Sequence, residues 1–251
     1  MKSLNLWTTI LTLSIFSVTT LTVVSCTSDE SNNLIAQQAV RGGDGITNRI
    51  TGLYPENSKN IYDAAGQLHN DILEAYLSQQ KVSTTTAGTI SQVEDIANVN
   101  AEFLLLKPST YASPSVLRID NILNNVVTPA DVIANSSMSM GAKTSLTTFL
   151  NSLMAYRDQQ KDYDFIYQFI IDYEMAIIDN ASLSSNDKRV ILITTSISRY
   201  GFDFAKRHRR KPRDRDWEIS WGNIVAGTDG AGTSDAKAIV MSAVCGIISN
   251  K

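Results

Sequence analysis

Histidine and cysteine are scarce in this chain. Its 251 residues hold two of each: His69, His208, Cys26 and Cys245. Two histidines make a poor zinc inventory, because zinc sites gather three or four nitrogen or sulfur ligands and His208 stands inside a basic run. No Gly-x-Ser-x-Gly elbow surrounds Ser196, so a serine in the middle of a helix is read as a packing residue. Arg41-Gly42-Gly43-Asp44-Gly45 is glycine-rich. Without a preceding strand or a following Lys-Ser/Thr it does not read as a phosphate-binding loop. Asp229 and Asp235 lack the ligand spacing of an EF-hand and are read as part of a solvated turn. No tandem repeat of fixed period is present. The uncharged stretch from Ala238 to Asn250 is thirteen residues long. A membrane-spanning helix needs ~20, so this stretch reads as a buried terminal helix.

Charge is missing from the amino terminus as well. Lys2 is the only charged residue before Asp29, and an apolar run follows it from Leu6 to Val24. A short positive start and an apolar centre that ends in small residues make a signal peptide, residues 1–25. A membrane anchor is disfavoured, because the run is rich in Thr and Ser and has no basic stop-transfer flank.

The run closes on Val23-Val24-Ser25-Cys26. This resembles the lipobox of bacterial lipoproteins. The resemblance implies cleavage before Cys26, a thioether-linked diacylglycerol and an acylated amine. Several acyl chains hold a protein far more firmly than one, since each buried methylene contributes ~0.8 kcal/mol. Thr27-Ser28-Asp29-Glu30 resembles the acidic export stretch of surface lipoproteins in Bacteroidota. With Cys26 lipidated, Cys245 is left alone and no intramolecular disulfide forms, so packing must supply stability. A lone cysteine in an apolar run reads as a small core residue.

Cleavage leaves 226 residues and moves the net charge from −3 to −4, since Lys2 is lost. That mild value hides a segregation. Residues 206–215 hold seven basic residues and one acidic one, a local sum of +6, so the rest of the mature chain sums to −10. Lys206, Arg207, Arg209, Arg210, Lys211, Arg213 and Arg215 are the candidate anion-binding residues. Like charges this dense repel, so the run reads as an exposed loop after a helix C-terminus. In an exported protein the available polyanions are anionic lipid headgroups, lipopolysaccharide phosphates and acidic glycans; nucleic acid is not expected.

Residues 26–56 read as a flexible tether with a reach of roughly 30 Å for a random coil. Residues 57–250 read as a single helical domain. In the first helix, about 58–80, Ile61, Ala65, Leu68, Ile72 and Tyr76 form one buried stripe. Gly66 within it costs roughly 1 kcal/mol relative to Ala, so another helix is expected to approach there. The second helix, about 90–106, has Ser91 and Glu94 in capping-box spacing. Ser113-Pro114 opens a third, about 114–125, and Thr128-Pro129 a short fourth. A fifth covers about 141–157. The sixth, about 162–179, is apolar on much of its circumference, which predicts a central position. Ser184 starts a seventh, and a last helix covers about 234–249. The fold class is all-α, an irregular multi-helix bundle.

Asn60-Ile61-Tyr62-Asp63, Gly66, His69-Asn70, Leu73 and Leu77 compose an N-x-Y-D-x-x-G-x-x-H-N helix. Thr195-Ser196-Ile197-Ser198-Arg199-Tyr200, Trp217 and Asp229-Gly230-Ala231-Gly232 follow later. Together with the lipobox they resemble a family of small helical lipoproteins of Bacteroidota, flavobacterial in type, over most of the mature chain. The tail departs from it, being less glycine-rich and carrying Asp235 and Lys237. The resemblance implies location at the outer membrane and architecture, and no activity.

Asp63, His69 and Asn70 are the candidate functional residues of the first helix. A base or metal ligand at His69 is the sharper reading; a boundary histidine bonded to a neighbouring helix is the plainer one. No catalytic set, metal site or cofactor is read from the sequence. The leading expectation is a lipid-anchored outer-membrane protein, exposed at the cell surface, with a non-enzymatic binding or structural role and a protein partner of unknown kind. The alternative is a membrane-active factor using 206–215 and the small-residue tail 217–250, and the third is an enzyme centred on His69.

Overall fold

The computed structural model describes residues 55–208 and 219–251. These are all-α: among the described residues there are ten helices and no strand. The helices are α1 (Ala64–Leu77), α2 (Thr86–Asn98), α3 (Ala101–Leu106), α4 (Val116–Leu123), α5 (Pro129–Asn135), α6 (Met140–Asp158), α7 (Tyr163–Asp179), α8 (Ser185–Arg207), α9 (Trp221–Ala231) and α10 (Asp235–Ser249).

Three helices form the centre. Every residue of α8 from Val190 to Phe204 is buried, as are Ala236 and Ala238–Ile247 of α10 and most of α9. A helix covered on all sides is a core helix, and the others wrap it with one apolar stripe each. α1 packs on α8 and α10, α2 on α10, and α7 on α8. The close contacts rest on small residues. A methyl group at Gly66 would meet Tyr200 and Ser196 of α8 within 2.4–2.6 Å. One at Gly230 of α9 would meet Ala238 Cα of α10 at 2.5 Å. The expectation that Gly66 admits a neighbouring helix therefore holds, and that neighbour is α8.

Several boundaries differ from the sequence reading. The first helix begins at Ala64 instead of 58, because residues 57–63 turn twice. Asn60 N donates to Asn57 O, and Asp63 N donates to Asn60 O. Those turns leave Ile61 82% exposed, so it leaves the expected buried stripe. The stretch 90–106 is two helices: Thr85 caps the first, and the Asn100 side chain restarts the chain by accepting from the Glu102 and Phe103 amides. Ser91 and Glu94 form no capping box. Glu94 instead accepts from the Tyr111 and Ser113 hydroxyls and ties down the following connection. Ser115, one step past the expected Ser113-Pro114 pair, caps α4. Thr128 and Ser184 both form complete capping boxes, as N-cap residues with Asp at the third position can.

The sixth predicted helix, α7, is not central. Only Ile166, Ile170, Glu174 and Ile177 are buried, while Phe165 is 43% exposed. Its aromatic residues instead pack sideways on α6: Phe169 stacks on Phe149, and Tyr156 meets Phe165 and Phe169 edge-on. Ile170→Ala should therefore destabilise the domain by about 2–5 kcal/mol. Phe165→Ala should cost under about 1 kcal/mol. Chemical unfolding of both variants checks the pair, and equal losses would contradict this placement of α7.

Candidate functional site

Asp63 stands at the N-cap position of α1, but its side chain caps nothing there. It reaches α8 instead. Arg199 Nη2 donates to Asp63 Oδ1, and the Tyr200 hydroxyl donates to Asp63 Oδ2 at 3.0 Å. The same Nη2 lies 3.3 Å from Glu174 Oε1 of α7. Arg199 and Glu174 are both wholly buried. Glu174 also accepts from Asn57 Nδ2 at 2.6 Å and from Asn60 Nδ2 at 3.0 Å. Asn60 Nδ2 further meets the Leu192 carbonyl of α8. The spacing Asn57, Asn60, Asp63 thus places three polar side chains on one edge of the turns, all aimed between α7 and α8.

The electrostatics follow from burial. Burial opposes the Arg199 charge, yet the carboxylates of Glu174 and Asp63 outweigh it and hold its pKa above the usual guanidinium value. Burial, then the charge of Asp63 and the hydrogen bond to it, push the Tyr200 hydroxyl up. Arg199 Nε and Nη1 and the Tyr163 hydroxyl are buried without a hydrogen-bond partner among the described residues. Two carboxylates against one guanidinium, with two amides closing the remaining lone pairs, make a clamp that joins 57–63 to α7 and α8.

A second polar chain crosses the core from α1. Asn70 Nδ2 donates to the Tyr200 carbonyl at 2.8 Å. Its Oδ1 therefore faces His69 Nδ1 as an acceptor at 3.1 Å, which assigns the proton to Nδ1. The bare Nε2 then accepts from Asn223 Nδ2 of α9 at 3.2 Å. Asn223 Nδ2 also meets the Ser242 carbonyl of α10 at 3.3 Å. One imidazole thereby links α1 to α9, and through the two amides to α8 and α10. Burial lowers the His69 pKa to about 4, and the Asn70 bond offsets only part of that. His69 is fully buried, so it lies inside the core and not at its boundary.

The other candidates fall elsewhere. Cys26 lies outside the described residues, as do Arg209, Arg210, Lys211, Arg213 and Arg215. Lys206 and Arg207 are not in a loop. They form the last turn of α8, where cations meet the helix C-terminal carbonyls favourably. Arg207 bonds Asp203 at 2.7 Å and Glu74 at 2.8 Å, and Lys206 lies 3.7 Å from Asp164. Asp229 and Asp235 do not sit in a solvated turn: Arg118 grips Asp229 with two nitrogens, and Arg189 pairs with Asp235. Ser196 Oγ donates to the Asp63 carbonyl and accepts from Gly66 N, which is a packing role. Cys245 is buried, and burial pushes its thiol up. Among the described residues no group of three His, Cys, Asp or Glu could hold a metal ion, and no helix is long and apolar enough to cross a membrane.

Asp63, His69 and Asn70 do not converge on one centre. Asp63 belongs to the clamp, while His69 and Asn70 belong to the core chain; Tyr200 touches both, by its hydroxyl and its carbonyl. Sequence reasoning missed Asn57, Glu174, Arg199 and Asn223 as functional partners. One signal existed: Glu174 falls on the stripe Ile166, Ile170, Ile177, where a carboxylate needs a buried partner. Nothing in the sequence pointed to Arg199 as that partner. No family model matches this chain, and no curated protein or solved structure is similar to it.

Proposed function

We propose that this protein is an exported, lipid-anchored helical domain of the outer membrane, exposed at the cell surface, with a non-enzymatic binding or structural role. One observation supports the non-enzymatic part. The side chains best suited to chemistry lie between helices with their acceptors bonded inside the fold: Asp63 and Glu174 to Arg199, and His69, apart from them, to Asn223. A general base needs its lone pair free and within reach of a substrate, and the lone pair of His69 is taken by Asn223. The sequence supports the location: Val23-Val24-Ser25-Cys26 resembles a lipobox, and most of the mature chain resembles the Bacteroidota lipoproteins described above. The basic stretch 206–215 suits anionic lipid headgroups or lipopolysaccharide phosphates, each cation near such a surface contributing roughly 1 kcal/mol.

The test is the anchor. Cells given radiolabelled palmitate should label the wild-type protein and recover it in the outer-membrane fraction. Cys26→Ser should remove the label and leave a soluble or unprocessed chain. Mass spectrometry finding Cys26 present and unacylated would reject the lipoprotein reading.

A further inference from the structure

Arg199 carries more donors than the fold has bonded. A guanidinium offers five N–H groups in a fixed fork. Nη2 directs its own at Asp63 Oδ1 and Glu174 Oε1. Nε and Nη1 carry the rest, and both are buried without a hydrogen-bond partner among the described residues. The Tyr163 hydroxyl of α7 is in the same position. Burial first, then the charge of Asp203, push that hydroxyl up, while Arg199 draws it down, so guanidinium and hydroxyl lie within electrostatic reach of each other. Tyr167, one turn further along α7, also feels Arg199, but its hydroxyl donates to the Glu56 carbonyl at 3.2 Å.

The surroundings decide what can meet these donors. The carboxylates nearby are engaged by others: Asp63 Oδ2 accepts from Tyr200, Glu174 Oε2 from Asn57, and Asp203 Oδ2 from Arg207. A carboxylate has about four acceptor positions, so Asp63 and Glu174 each keep capacity for a further donor. The molecule that fits therefore accepts from the guanidinium and donates to a carboxylate. A simple anion has no proton to donate, and it would add a negative charge where Asp63 and Glu174 already outnumber Arg199. A metal cation is repelled by N–H groups aimed at it. A larger neutral ligand is excluded, because Nε, Nη1 and the Tyr163 oxygen are closed to solvent.

We propose that Arg199 Nε, Arg199 Nη1 and the Tyr163 hydroxyl hold internal water between α7 and α8. Each water on the guanidinium accepts one N–H and donates to a spare carboxylate lone pair, within the count of about three hydrogen bonds that a buried water makes. The Tyr200 ring lies 5.4 Å from the guanidinium carbon and covers one of its faces, so water is confined to the edges. The clamp is then a hydrated ion cluster, in which water completes the bonding that two carboxylates leave unfinished. It needs neither the lipid anchor nor an anionic surface, so it stands or falls apart from the proposed function.

A crystal structure of the intact protein at about 1.5 Å tests the site, with one crystal soaked in bromide. Both Nε and Nη1 should have a water oxygen within about 2.7–3.2 Å, the range of an N–H···O bond. A water should also lie within hydrogen-bond reach of the Tyr163 hydroxyl. Bromide should give no anomalous peak there. Tyr163→Phe should keep the waters on Arg199 and lose only the contact at position 163. Either nitrogen lacking water would overturn the proposal, whether a shifted Asp63 or Glu174 or a side chain of residues 209–218 takes its place. Bromide bound at the guanidinium would overturn it as well, by showing an anion site. The decisive readings come from the parent protein, so they do not depend on how a variant folds.

Discussion

Glu174→Leu should destabilise the domain by about 3–5 kcal/mol, the range for removing one partner from a buried ion pair. The change leaves Arg199 wholly buried with Asp63 as its remaining carboxylate. It also strips the Asn57 amide and one contact of the Asn60 amide of their acceptor. An unsatisfied buried donor costs about 1–3 kcal/mol, so the amides add to the loss. Arg199→Met should cost a similar amount, because two carboxylates then face each other across an apolar side chain. The double variant should lose much less than the sum, since removing both charges removes the need for compensation. Urea unfolding of the four proteins of this cycle measures the coupling. Additive losses would mean that the clamp is no clamp and that Glu174 and Arg199 act independently.

The second large effect is linked to pH through His69. The folded pKa stands at about 4, below the ordinary value of 6.5 that applies when the chain is unfolded. Between these two values the unfolded chain takes up a proton that the folded chain refuses. Unfolding is therefore favoured as pH falls: the contribution is fully present above about pH 6.5 and declines toward pH 4. One pKa unit corresponds to about 1.4 kcal/mol, so about 2 kcal/mol should disappear between pH 7 and pH 4.5. Carboxylates also begin to titrate near the lower limit, so the informative quantity is a difference between proteins. His69→Gln removes the titration and keeps an amide donor and acceptor for Asn70 and Asn223. The parent should lose about 2 kcal/mol more than this variant over the same interval, measured by urea unfolding at each pH. A difference under about 0.5 kcal/mol would place the imidazole in contact with water.

Local signals in this chain were legible where a residue acts on its immediate neighbours. The Thr128 and Ser184 caps, the apolar stripe of α1 from Ala65 onward and the close approach at Gly66 needed only spacing and side-chain shape. Boundaries went astray where a side chain intervened from a distance. Residues 58–63 read as helix, because Ile61, Ala65 and Leu68 keep a helical period. They turn instead because Asn57 and Asn60 gain a buried carboxylate more than a hundred positions away. The same limit applied to α7. Its apolar circumference suggested the centre, but its aromatic faces are half covered by α6 rather than enclosed.

The sequence by itself determined the all-α class and most of the helices, missing the division of 90–106 and the whole of α9, because helical periodicity and capping act within four residues of chain. It also holds the lipobox pattern, a linear signal that needs no fold to be read. Only the tertiary structure decided which helices are central and which charges meet. α8, α9 and α10 took the core because small residues let them approach closely, and closeness is a property of pairs of surfaces. Arg199 found Asp63 and Glu174, His69 found Asn223, and His208 found Glu74 across at least 25 positions of chain. Periodicity is blind to such pairs, since the free energy of a buried charge depends on what faces it in space and not on what precedes it in sequence.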